Sequence, residues 1–345
     1  MKNSNNWPLE HWHIEISGKC TLKCPRCTRQ EIPGFVNKEL NLSWFKQNFT
    51  FVKKVKKVTF CGDDGDPIYA KDLLPVIGWL KDNNPRIQIV IVTNGSYKTE
   101  AWWHKLNALL DENDNIHFSL DGWDQESNEI YRINCDWDTI VAGIKQINRA
   151  YKTWAAIAFK FNEQQIEYMK KMAMALRFDN FQLTLSTKFG KNYSAYPSDD
   201  PLQPSDKYVA TGRFTRLVTK FTDREWHDST LETFTSRFKK QKVGNQAVIP
   251  LCMIGNKGLY INASGDFYPC CWTEHEYNSE LPQGKNIFNY LAKTQKPKLL
   301  GDRLNDPMWG KVFSMMSKPK PDKTFTMCMA KCSKANWSQD HATQF

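Results

Sequence analysis

Between residues 11 and 186 the apolar residues keep switching between two periods, and that switching limits the folds open to the chain. The segment 11–17 (HWHIEIS) alternates as a strand does, and apolar runs at 55–60, 87–92, 116–120, 154–161 and 181–186 are short enough to be strands. Helical spacing fills the gaps: from about Leu42, where Ser43 is placed to cap, through 73–80, from Thr99 and Glu100 onward, over 138–150, and along Ile166, Met169, Met172, Ala173 and Leu176. Strand and helix in strict alternation predict parallel α/β units. Six such units with right-handed crossovers predict an open, partial (β/α)6 barrel, with ligands at the carboxyl ends of its strands. The methionines at 169 and 172 are read as core packing.

After residue 190 the text turns to Pro, Ser, Asp and Lys, predicting a boundary. Three segments follow: a barrel over 1–190, a linker and helical insertion over 191–248, and a small domain over 249–345 that holds the late cysteines.

With 345 residues, 41% of them hydrophobic and 13% aromatic, the chain has enough apolar matter for a substantial core, so disorder is excluded. No apolar run of signal-peptide or membrane-spanning length is found, and a soluble, cytoplasmic protein is expected. In that compartment ten cysteines are not a disulfide framework but metal ligands or reactive groups. The net charge of +10 falls mostly in the second half, in runs such as Arg237 to Lys242 and Lys318 to Lys323. Runs of that kind are read first as solvated faces and second as contacts for an anionic partner.

Cys20, Cys24 and Cys27 form a C-x3-C-x2-C loop just after the first strand. Three thiolates on a four-iron cubane leave one iron without a side chain, open to a small molecule that chelates through an amine and a carboxylate. The competing reading is zinc on the Cys24/Cys27 pair with two distant partners, which leaves Cys20 surplus.

The loop and the strand ends after it resemble the radical S-adenosylmethionine (SAM) superfamily, in order, over about residues 11–187. Asp64-Gly65-Asp66-Pro67, preceded by Gly62, resembles the family's second-strand loop, whose backbone receives the SAM amino group. Thr93-Asn94-Gly95 resembles the third strand's ending, and Ser119-Leu-Asp121-Gly122 the fourth's, whose polar side chains reach the ribose. Arg132 stands where a family arginine meets the SAM carboxylate. Two departures are visible: Arg26 replaces an aromatic before the third cysteine, and Asp66 replaces a glutamate.

Late in the chain, Cys252 is followed by twelve residues, Gly265, four residues and Cys270, and then by Cys328 and Cys332. Residues 261–266 carry a hairpin signal between them. This arrangement resembles the auxiliary domains called twitch and SPASM, and the shorter twitch form implies a second [4Fe-4S] cluster on Cys252, Cys270, Cys328 and Cys332. Structural zinc on the same sulfurs is the alternative. Cys271 either replaces Cys270 or points into the core, and Cys61 and Cys135 are read as small buried hydrophobes.

The resemblance implies a reduced cluster that cleaves SAM to a 5'-deoxyadenosyl radical, which takes hydrogen from a substrate, with net oxidation or bond formation. It also implies an electron donor such as a flavodoxin or ferredoxin. A peptide or protein substrate comes first, a small metabolite second and nucleic acid third, while a zinc-stabilised binding protein is the non-enzymatic alternative. Asp121, Asp124, Glu163 and Tyr168 are candidates for a base, and nothing in the sequence ranks them.

Overall fold

The structure is a computed structural model that describes residues 7–32, 34–186, 189, 200–209, 215–222, 225–231, 259–274 and 299–309. In chain order its strands are β1 (His11–Ile14), β2 (Lys57–Phe60), β3 (Gln88–Thr93), β4 (Asn115–Ser119), β5 (Tyr151–Ile157), β6 (Asn180–Leu185), β7 (Thr215–Phe221), β8 (Trp226–Leu231), β9 (Leu259–Ile261) and β10 (Phe267–Tyr268). The helices among them are α1 (Leu42–Asn48), α2 (Leu73–Asn83), α3 (Glu100–Leu109), α4 (Gln125–Glu129), α5 (Trp137–Gln146) and α6 (Ile166–Ala175). The architecture is an open, mostly parallel α/β sheet with helical crossovers, as the sequence predicts.

The chain divides into two compact units, and the division runs through β3. The first comprises Met1–Lys19, Val36–Val90 and Phe234–Phe345; the second comprises Cys20–Phe35 and Ile91–Thr233.

In the first unit β1 pairs in parallel with β2 on one side and with β9 on the other, and β10 returns antiparallel along β9. Every residue of β2 and β9 is buried, as expected of strands covered on both faces. Trp12 packs on Phe49 and Phe51, with ring centroids 5.2 and 5.4 Å away, and Phe267 sits between Trp7 and Trp309 at 5.0 and 5.1 Å. The Trp7 indole donates to the Leu304 carbonyl, fixing the short helix Leu300–Leu304 to this core. The cap of α1 is Asn41, whose side chain accepts from the Trp44 amide, and not Ser43. The chain is still extended at Asn41 and already helical at Leu42, so Ser43 falls inside the first turn.

In the second unit β4, β5 and β6 are parallel, and β7 and β8 continue antiparallel from β6. Where a helical insertion was expected, Thr215–Phe221 and Trp226–Leu231 are these two strands. The β-formers Thr215, Leu217, Val218, Thr219 and Phe221 are better satisfied by pairing with β6 than by a helix. Thr99 caps α3 as predicted, accepting from the Trp102 amide. The helix α4 was not predicted; its five residues are too few for periodicity to show, and a capping box between Asp124 and Ser127 starts it. On α6, Ile166, Met169 and Ala173 are buried, the inward face that the sequence marks out. No helix among the described residues is long and apolar enough to cross a membrane.

Candidate metal and cofactor site

The cysteine loop belongs to the second unit, and three parts of that unit pin it. Cys27 N–H donates to the Cys24 carbonyl at 3.1 Å and Gln30 N–H to the Cys27 carbonyl at 2.9 Å, so the loop folds into the short 3-10 turn Thr28–Glu31. The segment after α4 holds it from outside: Lys23 N–H donates to the Ile133 carbonyl at 3.0 Å, and Asn134 Nδ2 donates to the Thr21 carbonyl at 2.8 Å. From the end of β3, Asn94 Nδ2 donates to Cys20 Sγ at 3.6 Å. Cys20, Cys24 and Cys27 are all half-buried, and their sulfurs are reduced thiols. Burial pushes the Cys24 thiol up, and the nearby Arg132 guanidinium works against that shift. A cation beside a sulfur favours the thiolate, the form in which cysteine binds metal. The donor set, three soft reduced sulfurs within one loop, fits an iron-sulfur cluster.

Arg26 resolves one of the departures seen in the sequence. Its guanidinium is buried, pairs with the Asp200 carboxylate and lies over the Phe189 ring, 5.0 Å from the centroid. Phe189 belongs to a cluster with Tyr131 and Phe159, against which Cys24 packs. The aromatic surface beside the loop therefore comes from distant residues, while position 26 supplies a cation to sit on it.

Asp121 and Arg132, expected separately at ribose and carboxylate, are paired: Arg132 Nε lies 2.6 Å from Asp121 Oδ2. Asp121 Oδ1 also accepts from Ile157 N–H at 2.7 Å, and its backbone bonds to Asn128 and Asn162. Burial disfavours the Arg132 charge, but Asp121 and Cys24 outweigh it and the guanidinium is held firmly protonated. Thr93 Oγ1 accepts from Gly95 N–H and Asn94 Oδ1 from Ser96 N–H, which shapes the turn after β3, where Gly95 takes φ +76°. Ser119 is the half-buried last residue of β4.

The loop Gly62 to Pro67 belongs to the first unit. Gly65 approaches the backbone so closely that a Cβ there would stand 1.9 Å from the Ser17 carbonyl oxygen. Asp66 N–H donates to the Lys19 carbonyl at 2.8 Å, and Asp66 Oδ1 accepts from Ile68 N–H, capping the 3-10 turn Pro67–Tyr69.

Sequence reasoning missed what holds this loop. Glu15, just after β1, accepts from Asp64 N–H at 2.7 Å and Gly65 N–H at 2.9 Å, both on Oε1. The Tyr260 hydroxyl lies 3.3 Å from Glu15 Oε2 and donates to Glu274 at 2.6 Å, while Asn262 Nδ2 donates to the other Glu274 oxygen at 2.8 Å. Burial first, then Glu274, Asp63 and Asp64, pushes the Glu15 carboxyl well above the usual range, and burial pushes Glu274 up to about 7. The available signal was a glutamate inside an alternation whose neighbours are all buried.

Of the late cysteines, Cys270 and Cys271 follow the β9–β10 hairpin, Cys270 half-exposed and Cys271 buried. Cys252, Cys328 and Cys332 lie outside the described residues, as do the basic runs 237–242 and 318–323. Cys61 and Cys135 are buried, as expected. Among the candidate bases, Glu163 accepts from the Ser205 amide and hydroxyl, and Tyr168 is exposed.

A family model described as Radical SAM superfamily matches residues 14–173. No curated protein matches the chain in sequence. Among solved structures, SuiB of Streptococcus suis bound to S-adenosylmethionine superposes with a TM-score of 0.57 at 17% identity, covering 99% of this chain and 78% of that one. SuiB bound to its precursor peptide SuiA gives 0.51 at 15% identity, over 99% and 76%. A structure described as native anSMEcpe with bound AdoMet gives 0.50 at 12% identity, over 96% and 94%. At such identities the likeness establishes the fold.

Proposed function

From the match of residues 14–173 to the Radical SAM superfamily model we propose that this enzyme cleaves S-adenosylmethionine reductively and removes a hydrogen atom from a peptide or protein substrate, with net oxidation or bond formation. The observation that carries the reading is the loop of Cys20, Cys24 and Cys27, three reduced sulfurs beside Asn94 and the Arg132 guanidinium. A [4Fe-4S] cluster bound there supplies the electron for breaking the carbon-sulfur bond of the sulfonium.

The chain's own residues supply position. Cys20, Cys24 and Cys27 are the cluster ligands, with Asn94 orienting the first through its amide. The loop Asp64 to Pro67, whose Asp64 and Gly65 N–H groups are taken up by Glu15, offers backbone carbonyls as acceptors to the SAM amino group, and Arg132, anchored by Asp121, offers its remaining donors to the carboxylate. The aromatic cluster of Tyr131, Phe159 and Phe189 keeps water from the Cys24 side of the loop.

A peptide substrate is supported by SuiB, whose structure contains a precursor peptide. The auxiliary site on Cys252, Cys270, Cys328 and Cys332 remains part of the proposal. Cys270 is the more accessible of the adjacent pair, which favours it over Cys271 as ligand.

The test is chemical. Anaerobically reconstituted, dithionite-reduced protein should convert SAM to 5'-deoxyadenosine, and Cys20→Ala/Cys24→Ala/Cys27→Ala protein should lose about four irons per chain and all of that product. Full iron retention by the triple variant would overturn the cluster assignment. Turnover stimulated by small metabolites and by no peptide would overturn the substrate class.

A further inference from the structure

Three carboxyl groups of the first unit, those of Glu15, Asp64 and Glu274, have oxygens within 4.8 Å of one another. All three are buried or nearly so, and carboxylates this close cannot all carry charge at neutral pH without a large electrostatic cost. Hydrogen-bond donors decide which one gives way. Glu15 Oε1 is fully used, accepting from both Asp64 N–H and Gly65 N–H. Its Oε2 faces the Tyr260 hydroxyl at 3.3 Å. That hydroxyl has a single proton, and the much shorter 2.6 Å contact to Glu274 takes it. What remains toward Glu15 is the lone pair of the Tyr260 oxygen, an acceptor. Two acceptors do not attract, so a proton belongs on Glu15 Oε2.

We infer that Glu15 is a positioning residue that works as a neutral carboxylic acid, clamping the Asp64–Gly65 amides with one oxygen and donating from the other to the Tyr260–Glu274 pair. The inference rests on reading the Asp64–Pro67 loop as the SAM amino site. Its consequence is that the hairpin β9–β10 and the turn ending at Glu274 hold that loop through one continuous chain of hydrogen bonds: Glu15 to Tyr260, Tyr260 to Glu274, and Asn262 to Glu274.

The groups facing Glu15 agree. Asp63, Asp64 and Glu274 all oppose its ionisation, and burial is the largest cause of its raised pKa. Tyr260 is held protonated by burial and by the same carboxyls. His13, whose ring centroid lies 5.0 Å from that of Tyr260, has its Nε2 3.3 Å from the Cys61 carbonyl. A carbonyl only accepts, so that nitrogen carries its hydrogen toward Cys61.

A neutral acid is mimicked by an amide. In Glu15→Gln the carbonyl oxygen accepts from both amides and the NH2 donates to Tyr260; in Glu15→Leu neither bond exists. Cluster-loaded Glu15→Gln protein is expected to bind SAM within about threefold of wild type by equilibrium dialysis, and Glu15→Leu at least about tenfold more weakly. Infrared difference spectra at neutral pH should show a protonated-carboxyl band in wild type that is missing in Glu15→Gln. Gln binding as poorly as Leu would overturn the inference, as would absence of the band, or a divalent ion other than iron bound by wild type and lost from Glu15→Gln. If wild type binds no SAM, the reading of the loop fails by itself, while the infrared band still decides the protonation of Glu15 and needs no folded Leu variant.

Discussion

Arg132 and Asp121 form a closed pair in which the carboxylate is wholly buried and the guanidinium nearly so, with Nε 2.6 Å from Oδ2. Asp121 therefore anchors the arginine and is unsuited to act as a base. Removing one partner of such a pair leaves the other's charge buried and alone, which costs about 3 kcal/mol or more. Asp121→Asn should lower stability by that order in denaturant unfolding. Asp121→Asn/Arg132→Met should recover part of the loss, because the stranded charge is gone.

Arg26 makes a second buried pair, with Asp200, in place of the aromatic residue expected from the resemblance. Arg26→Phe should be destabilising by about 2 to 4 kcal/mol, since it takes the guanidinium away from the buried Asp200 carboxylate. Arg26→Phe/Asp200→Leu should return toward wild type in the same unfolding measurement.

Gly65 has no room for a methyl group, the nearest atom being a backbone oxygen that cannot swing aside. Gly65→Ala should displace the loop from Ser17 and Gly18. SAM affinity is expected to fall by about tenfold or more with iron content unchanged, a combination that separates the loop from the cluster ligands.

Glu274 yields a pH dependence. Burial raises its pKa in the fold to about 7 from an ordinary 4.5, so between those values the folded chain binds more protons than the unfolded one. Its contribution is thus fully present below about pH 4.5 and is lost as pH rises toward 7, amounting to a few kcal/mol. The denaturant midpoint should fall between pH 5 and pH 8, and Glu274→Gln should flatten that fall. A wild-type midpoint that rises over the same interval as far as the variant's would contradict the assignment.

Periodicity made β1 to β6 and the longer helices legible, because each buries a regular face that repeats every two residues or every three to four. It failed at α4, where five residues are set by the Asp124 cap, and at β7 and β8, whose strand character comes from pairing with β6. At the site, the three cysteines could be read from their spacing because loop ligands lie within eight residues of chain. Glu15, Tyr260 and Glu274 were not legible, being 245 residues apart for the first pair and joined only through parallel pairing of β1 with β9.

The sequence by itself determined the α/β order of elements and the sulfurs that can hold a cluster, since both depend on local spacing. Tertiary structure alone decided that Arg132 belongs to Asp121, that Arg26 belongs to Asp200, and that Glu15 grips the Asp64–Gly65 loop. Those outcomes depend on which charges are buried together. Burial is a property of the packed chain, and it turns a shared proton or a single partner from a small effect in water into a deciding one.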